Sequence, residues 1–226
     1  MGDSNLKLEL PYGVQEHNIE KAVVHENYDI NDSLHQNDIG KCVGGYNVLS
    51  LMCDLAGFVL LRTAAQLDDG VCLLCLPRPG VDVEQESCTV TGYGKPTITG
   101  KEGELPRGAA YWEDNTSDGI LREAELDIIS SSQCAPYLGL SDKQSSSSYL
   151  SNILCAKNDV GETDQSACFL GLDGGSPLAC EAEGHHYLGG VVIFSTVCGG
   201  NQPSVFIKVS LYVQWILNNY AALRLT

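Results

Sequence analysis

The sequence predicts an all-β fold finished by a carboxy-terminal helix, and three observations carry that expectation. Short apolar or alternating segments recur between turn residues: Cys88–Gly94, Leu121–Ile129, Asn152–Ala156 and Gly189–Phe194. They have strand length and are too short for independent helices. Near the end, Val213, Ile216, Leu217 and Tyr220 recur at helical spacing, with Ser210 expected as the amino cap. Ten cysteines in 226 residues suit a disulfide-held secreted protein better than a reduced cytosolic one.

Bulk properties narrow the function classes. The length suffices for one large all-β domain or two small ones. A hydrophobic share of 43% can fill a core, and no apolar run is long enough to span a bilayer. The net charge of −16 repels phosphate backbones and anionic lipid, which makes nucleic acid and membrane poor partners. Solubility is the plain reading of that charge, and steering of a basic protein partner is the functional one. The amino end, Met1 to Leu6, lacks the basic and apolar regions of a signal peptide. It also lacks the myristoylation pattern, since position 6 is Leu. Cysteines that imply an extracellular setting, without a leader, predict that the true start lies upstream or that the chain is partial.

The remaining elements follow in order. Asn18–His25 reads as a strand and Glu26–Asn31 as the turn after it; Gly57–Arg62 reads as another strand. The loop from Lys95 to Ser117 is rich in Gly, Pro and charge, and is expected on the surface. Asn31 and Asn115 each begin a glycosylation triplet. Ser130–Cys134 opens a short turn or helix, and Ser145–Ser148 is low-complexity and expected in solvent. Cys72 and Cys75 form one CxxC with no second pair, too little for a metal centre. His185 and His186 are adjacent; on a strand they face opposite ways, so a hairpin turn beside Glu181 and Glu183 explains them better than a metal site. No cofactor and no metal is expected.

The richest stretch is Cys168-Phe-Leu-Gly-Leu-Asp-Gly-Gly-Ser-Pro-Leu-Ala-Cys180. Serial glycines let a backbone turn tightly and aim its amides inward, as an oxyanion-binding loop requires. The stretch resembles the active-site loop Gly-Asp-Ser-Gly-Gly-Pro-Leu of the trypsin-like serine proteases. Aligned on Pro177 and Leu178, Asp173 matches the motif's aspartate and Gly174 its nucleophilic serine, while Leu172 replaces the glycine that donates an oxyanion amide. The order Asp-Gly-Gly-Ser-Pro is similar to that of the masquerade-like, non-catalytic homologues of arthropods, which are of the clip-domain type.

The resemblance implies a trypsin-like double β-barrel with an incomplete first barrel over residues 1–80. The second barrel and the helix then occupy residues 81–226. His35-Gln-Asn-Asp-Ile39 resembles the motif whose aspartate orients the catalytic histidine, which makes Asp38 the match for that aspartate. Residues 40–56 interrupt it, and joining Ile39 to Gly57 restores the family form. Two readings fit this insertion: a retained intron, or a surface loop in which Cys42 pairs with Cys53. No segment matches the histidine loop, and His17 and His25 fall on the following strand, where they are expected at the surface.

Family pairing implies the disulfides Cys88–Cys180, Cys134–Cys155 and Cys168–Cys198, each contributing about 2–4 kcal/mol. It also implies that Cys75 ties to an upstream segment, which leaves Cys75 and Cys72 unpaired here. Ile193-Phe194-Ser195 stands where the family has Ser-Trp-Gly, so a side chain is expected to enter the substrate slot.

Nucleophilic serine catalysis needs a serine, a histidine base, an orienting acid and oxyanion amides. Gly174 removes the first of these and the absent histidine segment the second. For Asp173, a turn-forming acidic residue before glycines is the plain role. The resulting expectation is an inactive homologue that acts outside the cell as a binding, adaptor or cofactor protein. Its partners would be other proteins, such as proteases of a cascade of innate immunity or their substrates, or adhesion partners. The competing reading is an active hydrolase that uses Ser176 with His185 or His186; a third is a truncated product without a function of its own.

Overall fold

The computed structural model describes residues 15–26, 57–68, 71–79, 83, 86–93, 121–138, 148–157, 174–195 and 203–224. Alternating burial builds the larger of the two sheets among the described residues. Strand β4 (Arg122–Ile129) buries Ala124, Leu126 and Ile128 while Glu123, Glu125 and Asp127 face solvent, the period-two pattern of a half-buried strand. Strand β3 (Ser87–Gly92) does the same with Cys88 and Val90. Strands β5 (Ile153–Lys157) and β8 (Ser204–Lys208) are buried along nearly their whole length, because a second layer of side chains covers their outer face. With β6 (Pro177–Ala182) and β7 (His185–Ser195) they close into an antiparallel barrel of order β3-β4-β5-β8-β7-β6. Closure satisfies the edges that an open sheet leaves unpaired.

The barrel interior is a single cluster around Val90, Leu126, Leu178 and Phe206. Outside the β4–β5–β8 wall, Cys134, Ala135 and Leu150 pack with Ile129, Ile153, Cys155 and Val205. They come from two short helices, α1 (Ser131–Cys134) and α2 (Ser148–Asn152), and from a 3₁₀ turn, Ala135–Leu138. Ser130 caps α1 in a full capping box, its hydroxyl accepting from the Gln133 amide while the Gln133 side chain accepts from the Ser130 amide. The segment expected as a turn or helix is thus a helix.

Two disulfides bracket the barrel. Cys88 lies directly opposite Cys180 across the β3–β6 ladder, with Cα atoms 4.3 Å apart. Cys134–Cys155 ties α1 to β5 at 6.1 Å. Both match pairings that the resemblance implies; Cys168–Cys198 lies outside the described residues. Gly189 is what makes room for the first bond, since a Cβ there would sit 2.5 Å from the Cys180 sulfur.

The smaller sheet pairs β1 (Ile19–Val24) with β2 (Gly57–Leu61), antiparallel. Strand β2 thus begins at Gly57, and residues 40–56 lie outside the described residues. Helix α3 (Val213–Arg224) meets this sheet. The Trp215 ring lies 5.6 Å from Phe58 and 5.0 Å from His25, and its indole N–H donates to Glu26 at 2.7 Å.

Two expectations are corrected here. Ser210 does not cap α3, because it lies inside a 3₁₀ turn, Val209–Leu211, and Tyr212 leads from that turn into the helix. Ser210 is buried, and among the described residues its hydroxyl has no hydrogen-bond partner. His17 and His25 are half-buried rather than plain surface residues, since each ring is held: His17 by hydrogen bonds and His25 between Tyr212 and Trp215.

Candidate active-site turn

The turn Gly174-Gly175 leads through Ser176 into β6, and two backbone hydrogen bonds pin it to β7. The Gly175 amide donates to the Val192 carbonyl at 3.0 Å, and the Val192 amide donates to the Ser176 carbonyl at 2.9 Å. Gly175 has φ +92°, a conformation that glycine adopts without a steric penalty. Gly174 is exposed, its φ is ordinary, and among the described residues a Cβ built on it meets nothing within 4 Å. At Gly174, which the resemblance aligns with the motif's serine, the turn backbone is thus held by β7 and carries no side chain.

Ser176 is the nearest hydroxyl-bearing residue in the turn, but the sheet separates it from the two histidines proposed to activate it. Ser176 is bonded to Val192, whereas His185 and His186 pair with Ala182 and Glu181 at the far end of the same hairpin. Val192 and His186 are six residue steps apart along β7, about 20 Å at the usual rise. A base must come within hydrogen-bond reach of its nucleophile, so this pairing is overturned. His185 instead donates its Nδ1–H within the β6–β7 hairpin, to the Glu183 carbonyl at 3.0 Å. That contact requires the proton on Nδ1.

Asp38, Leu172, Asp173, Asn31 and Asn115 lie outside the described residues, as do Cys42 and Cys53. Ile193 packs against the outer cluster of the barrel wall. Among the described residues no group of three or more His, Cys, Asp or Glu is placed to hold a metal. Cys72 and Cys75 are free, exposed thiols. Their segment is strapped to β7, Cys75 donating its amide to the His186 carbonyl and accepting from the Leu188 amide.

Three side-chain arrangements carry no sequence signal, because each joins residues far apart in the chain. Tyr187 is buried and donates its hydroxyl to the Glu86 carboxylate. Burial, then the Glu86 hydrogen bond and charge, raise the phenol well above its ordinary range. Glu26 is held below the usual carboxylate range by its own backbone amide, then by the Trp215 indole. The third is a network of Gln15, His17, Thr63 and Gln66 beside the β1–β2 sheet.

Comparison with known proteins agrees with this architecture. The family model described as Trypsin matches residues 2–216. The chain is 34% identical over 173 residues to Protein masquerade of Drosophila melanogaster, covering 76% of this chain and 14% of that protein. It is 27% identical over 208 residues to Inactive CLIP domain-containing serine protease A28 of Anopheles gambiae, covering 91% and 44% respectively. Tissue-type plasminogen activator of Sus scrofa is 29% identical over 205 residues, covering 89% and 30%. The chain thus spans less than half the length of each of these relatives, and they include one named inactive and one named as an activator. With a closed six-stranded barrel, the turn pinned to β7 and a family match over most of its length, this chain belongs to the trypsin family.

Proposed function

We propose that this chain is a catalytically inactive trypsin-like homologue that works outside the cell as a binding, adaptor or cofactor protein in a protease cascade. The observation that carries this reading is Gly174: a retained turn with room for a nucleophile and no side chain there. A glycine cannot attack a carbonyl, and without attack the rest of the triad has nothing to activate. A relative whose name includes "Inactive" supports the reading. The acidic surface, net −16, favours encounter with basic protein partners and disfavours nucleic acid. Disulfides at Cys88–Cys180 and Cys134–Cys155 suit an oxidising, extracellular setting. Among the described residues no helix is long and apolar enough to cross a membrane.

A fluorophosphonate probe with peptide mapping tests the inactivity. The native turn should stay unlabelled, and a label on the peptide containing Ser176 overturns the reading. The variant Gly174→Ser separates two forms of the proposal. If it also stays inert, the base is missing as well as the nucleophile; if it labels, the side chain alone was lost. The adaptor half predicts that adding the native chain changes the rate at which a cascade protease processes its zymogen, with no cleavage by the chain itself.

A further inference from the structure

The β1–β2 ladder does not end at Ile19 and Leu61. The Arg62 amide donates to the Asn18 carbonyl at 2.9 Å, and the Ile19–Leu61 register carried outward places His17 opposite Thr63. Cross-strand partners have Cβ atoms about 5 Å apart, and here the side chains meet: His17 Nδ1 lies 3.0 Å from Thr63 Oγ1. On the other side of the ring, His17 Nε2 lies 3.2 Å from Gln15 Oε1.

Which group donates is settled by Gln66. The Gln15 amide nitrogen donates to the Gln66 carbonyl at 2.8 Å, and the Gln15 amide oxygen accepts from the Gln66 amide, also at 2.8 Å. Flipping Gln15 would set two donors against each other and two acceptors against each other, so its oxygen must face His17. That oxygen can only accept. Nε2 of His17 therefore carries the proton in the neutral ring, and Nδ1 is left as an acceptor. The Thr63 hydroxyl donates to Nδ1.

We propose that Thr63 is a nucleophilic hydroxyl that takes acyl groups from small activated esters. The arrangement places a nucleophile on a base and the base on an orienting acceptor, which is the hydrogen-bond logic of an activated hydroxyl. It lies on a different sheet from the Gly174 turn and is independent of the inactivity argued there. Thr63 is exposed, so a small ester reaches it without a cavity. In the step, Thr63 Oγ1 bonds to the carbonyl carbon and its proton passes to His17 Nδ1. The ester C–O bond then breaks, and the departing phenolate takes the proton from His17. One acyl group is left on Thr63 and His17 returns to its starting form. Gln15 carries no charge, so it orients the ring but stabilises the imidazolium less than a carboxylate would.

The test is incubation of the native chain with p-nitrophenyl acetate, followed by peptide mapping. Hydroxylamine removes an ester on Thr63 and leaves amides on lysines intact. With Cys72 and Cys75 alkylated beforehand, because their thioesters would also be hydroxylamine-labile, the expected result is one hydroxylamine-labile acetyl on the peptide containing Thr63. Thr63→Val should abolish it and Thr63→Ser should retain it. His17→Phe should slow it by about a hundredfold or more, the low end for a general base. Amide exchange in β1 and β2 checks that each variant keeps the sheet. Acetyl found only on lysines, or an unchanged rate in a folded His17→Phe variant, overturns the proposal.

Discussion

The barrel and the β1–β2 sheet are made of similar residues and stabilised in different ways. In the barrel, Val90, Leu178, Val205 and Phe206 are wholly shielded from solvent, and every strand has a neighbour on both sides. In the smaller sheet Ile19 is 58% exposed, Val24 56% and Val59 48%. Its apolar side chains are anchored through α3, where Trp215 meets Phe58, His25 and Glu26. Closure makes one region cooperative; among the described residues, ring contacts of Trp215 and Tyr212 couple the other to the rest. The turn Gly174-Gly175 sits on the cooperative region, where two backbone hydrogen bonds to Val192 hold it.

Phe206→Ala attacks the stronger region and should cost about 3–5 kcal/mol, the usual range for removing a buried phenylalanine. Because Phe206 packs in the one interior cluster, denaturant unfolding should shift as a single transition. Loss confined to β8 would show that the barrel is not the cooperative unit described. Trp215→Ala attacks the weaker region. Amide exchange of Ile19–Val24 and Gly57–Leu61 should quicken by about tenfold or more, while β3–β8 stay protected, since local units open independently of the global transition. An equal change in both regions would erase the distinction between them.

How far the two regions could be read from sequence differs in the same way. Every barrel strand carries its own signal, as in Leu121–Ile129, where alternation alone predicts which residues face inward. The Cys88–Cys180 and Cys134–Cys155 pairings followed from the family resemblance and not from any local pattern. In α3, helical spacing singled out Leu217 and Tyr220, yet these are 47% and 42% exposed. The face that packs includes Trp215 because β1 and β2 approach from far along the chain, which a periodicity cannot register. Ser210 misled for a related reason: apolar spacing does not distinguish a 3₁₀ turn from the first turn of an α-helix. At the candidate site, the lack of a side chain at Gly174 was legible directly. The distance from Ser176 to His185 and His186 was not, since it depends on the register of the β6–β7 hairpin.

The Tyr187–Glu86 hydrogen bond offers a way to perturb the barrel by pH alone. Burial first, then Glu86, raise the Tyr187 phenol above the value of about 10 it has in an unfolded chain. A group whose folded pKa is raised contributes its stability in full below the unfolded value and loses it as pH rises through the folded one. Stability should therefore hold through neutral pH and fall above about pH 10. Tyr187→Phe should flatten that alkaline limb, measured by denaturant midpoints across pH. A limb equally steep in the variant would assign it to other groups.

The smallest effect is expected at the β6–β7 hairpin, which is joined by Glu183 and Gly184 with φ 53° and 76°. Two positive φ values in a two-residue loop are the signature of the type I′ turn, whose twist matches the flanking strands. Gly184 adopts this geometry freely, but Glu183 has a Cβ that crowds the backbone there. Its own carbonyl is engaged by His185 Nδ1, a contact that depends on the backbone and not on the carboxylate. Glu183→Asn should therefore keep the contact, relieve the left-handed strain and stabilise the protein by about 0.5–1 kcal/mol. The exposed side chain offers nothing to lose in the exchange. A denaturant midpoint that falls instead would mean that the Glu183 carboxylate holds the hairpin through its charge. In that case the hairpin would be stabilised by its surface rather than by the closed ladder beneath it.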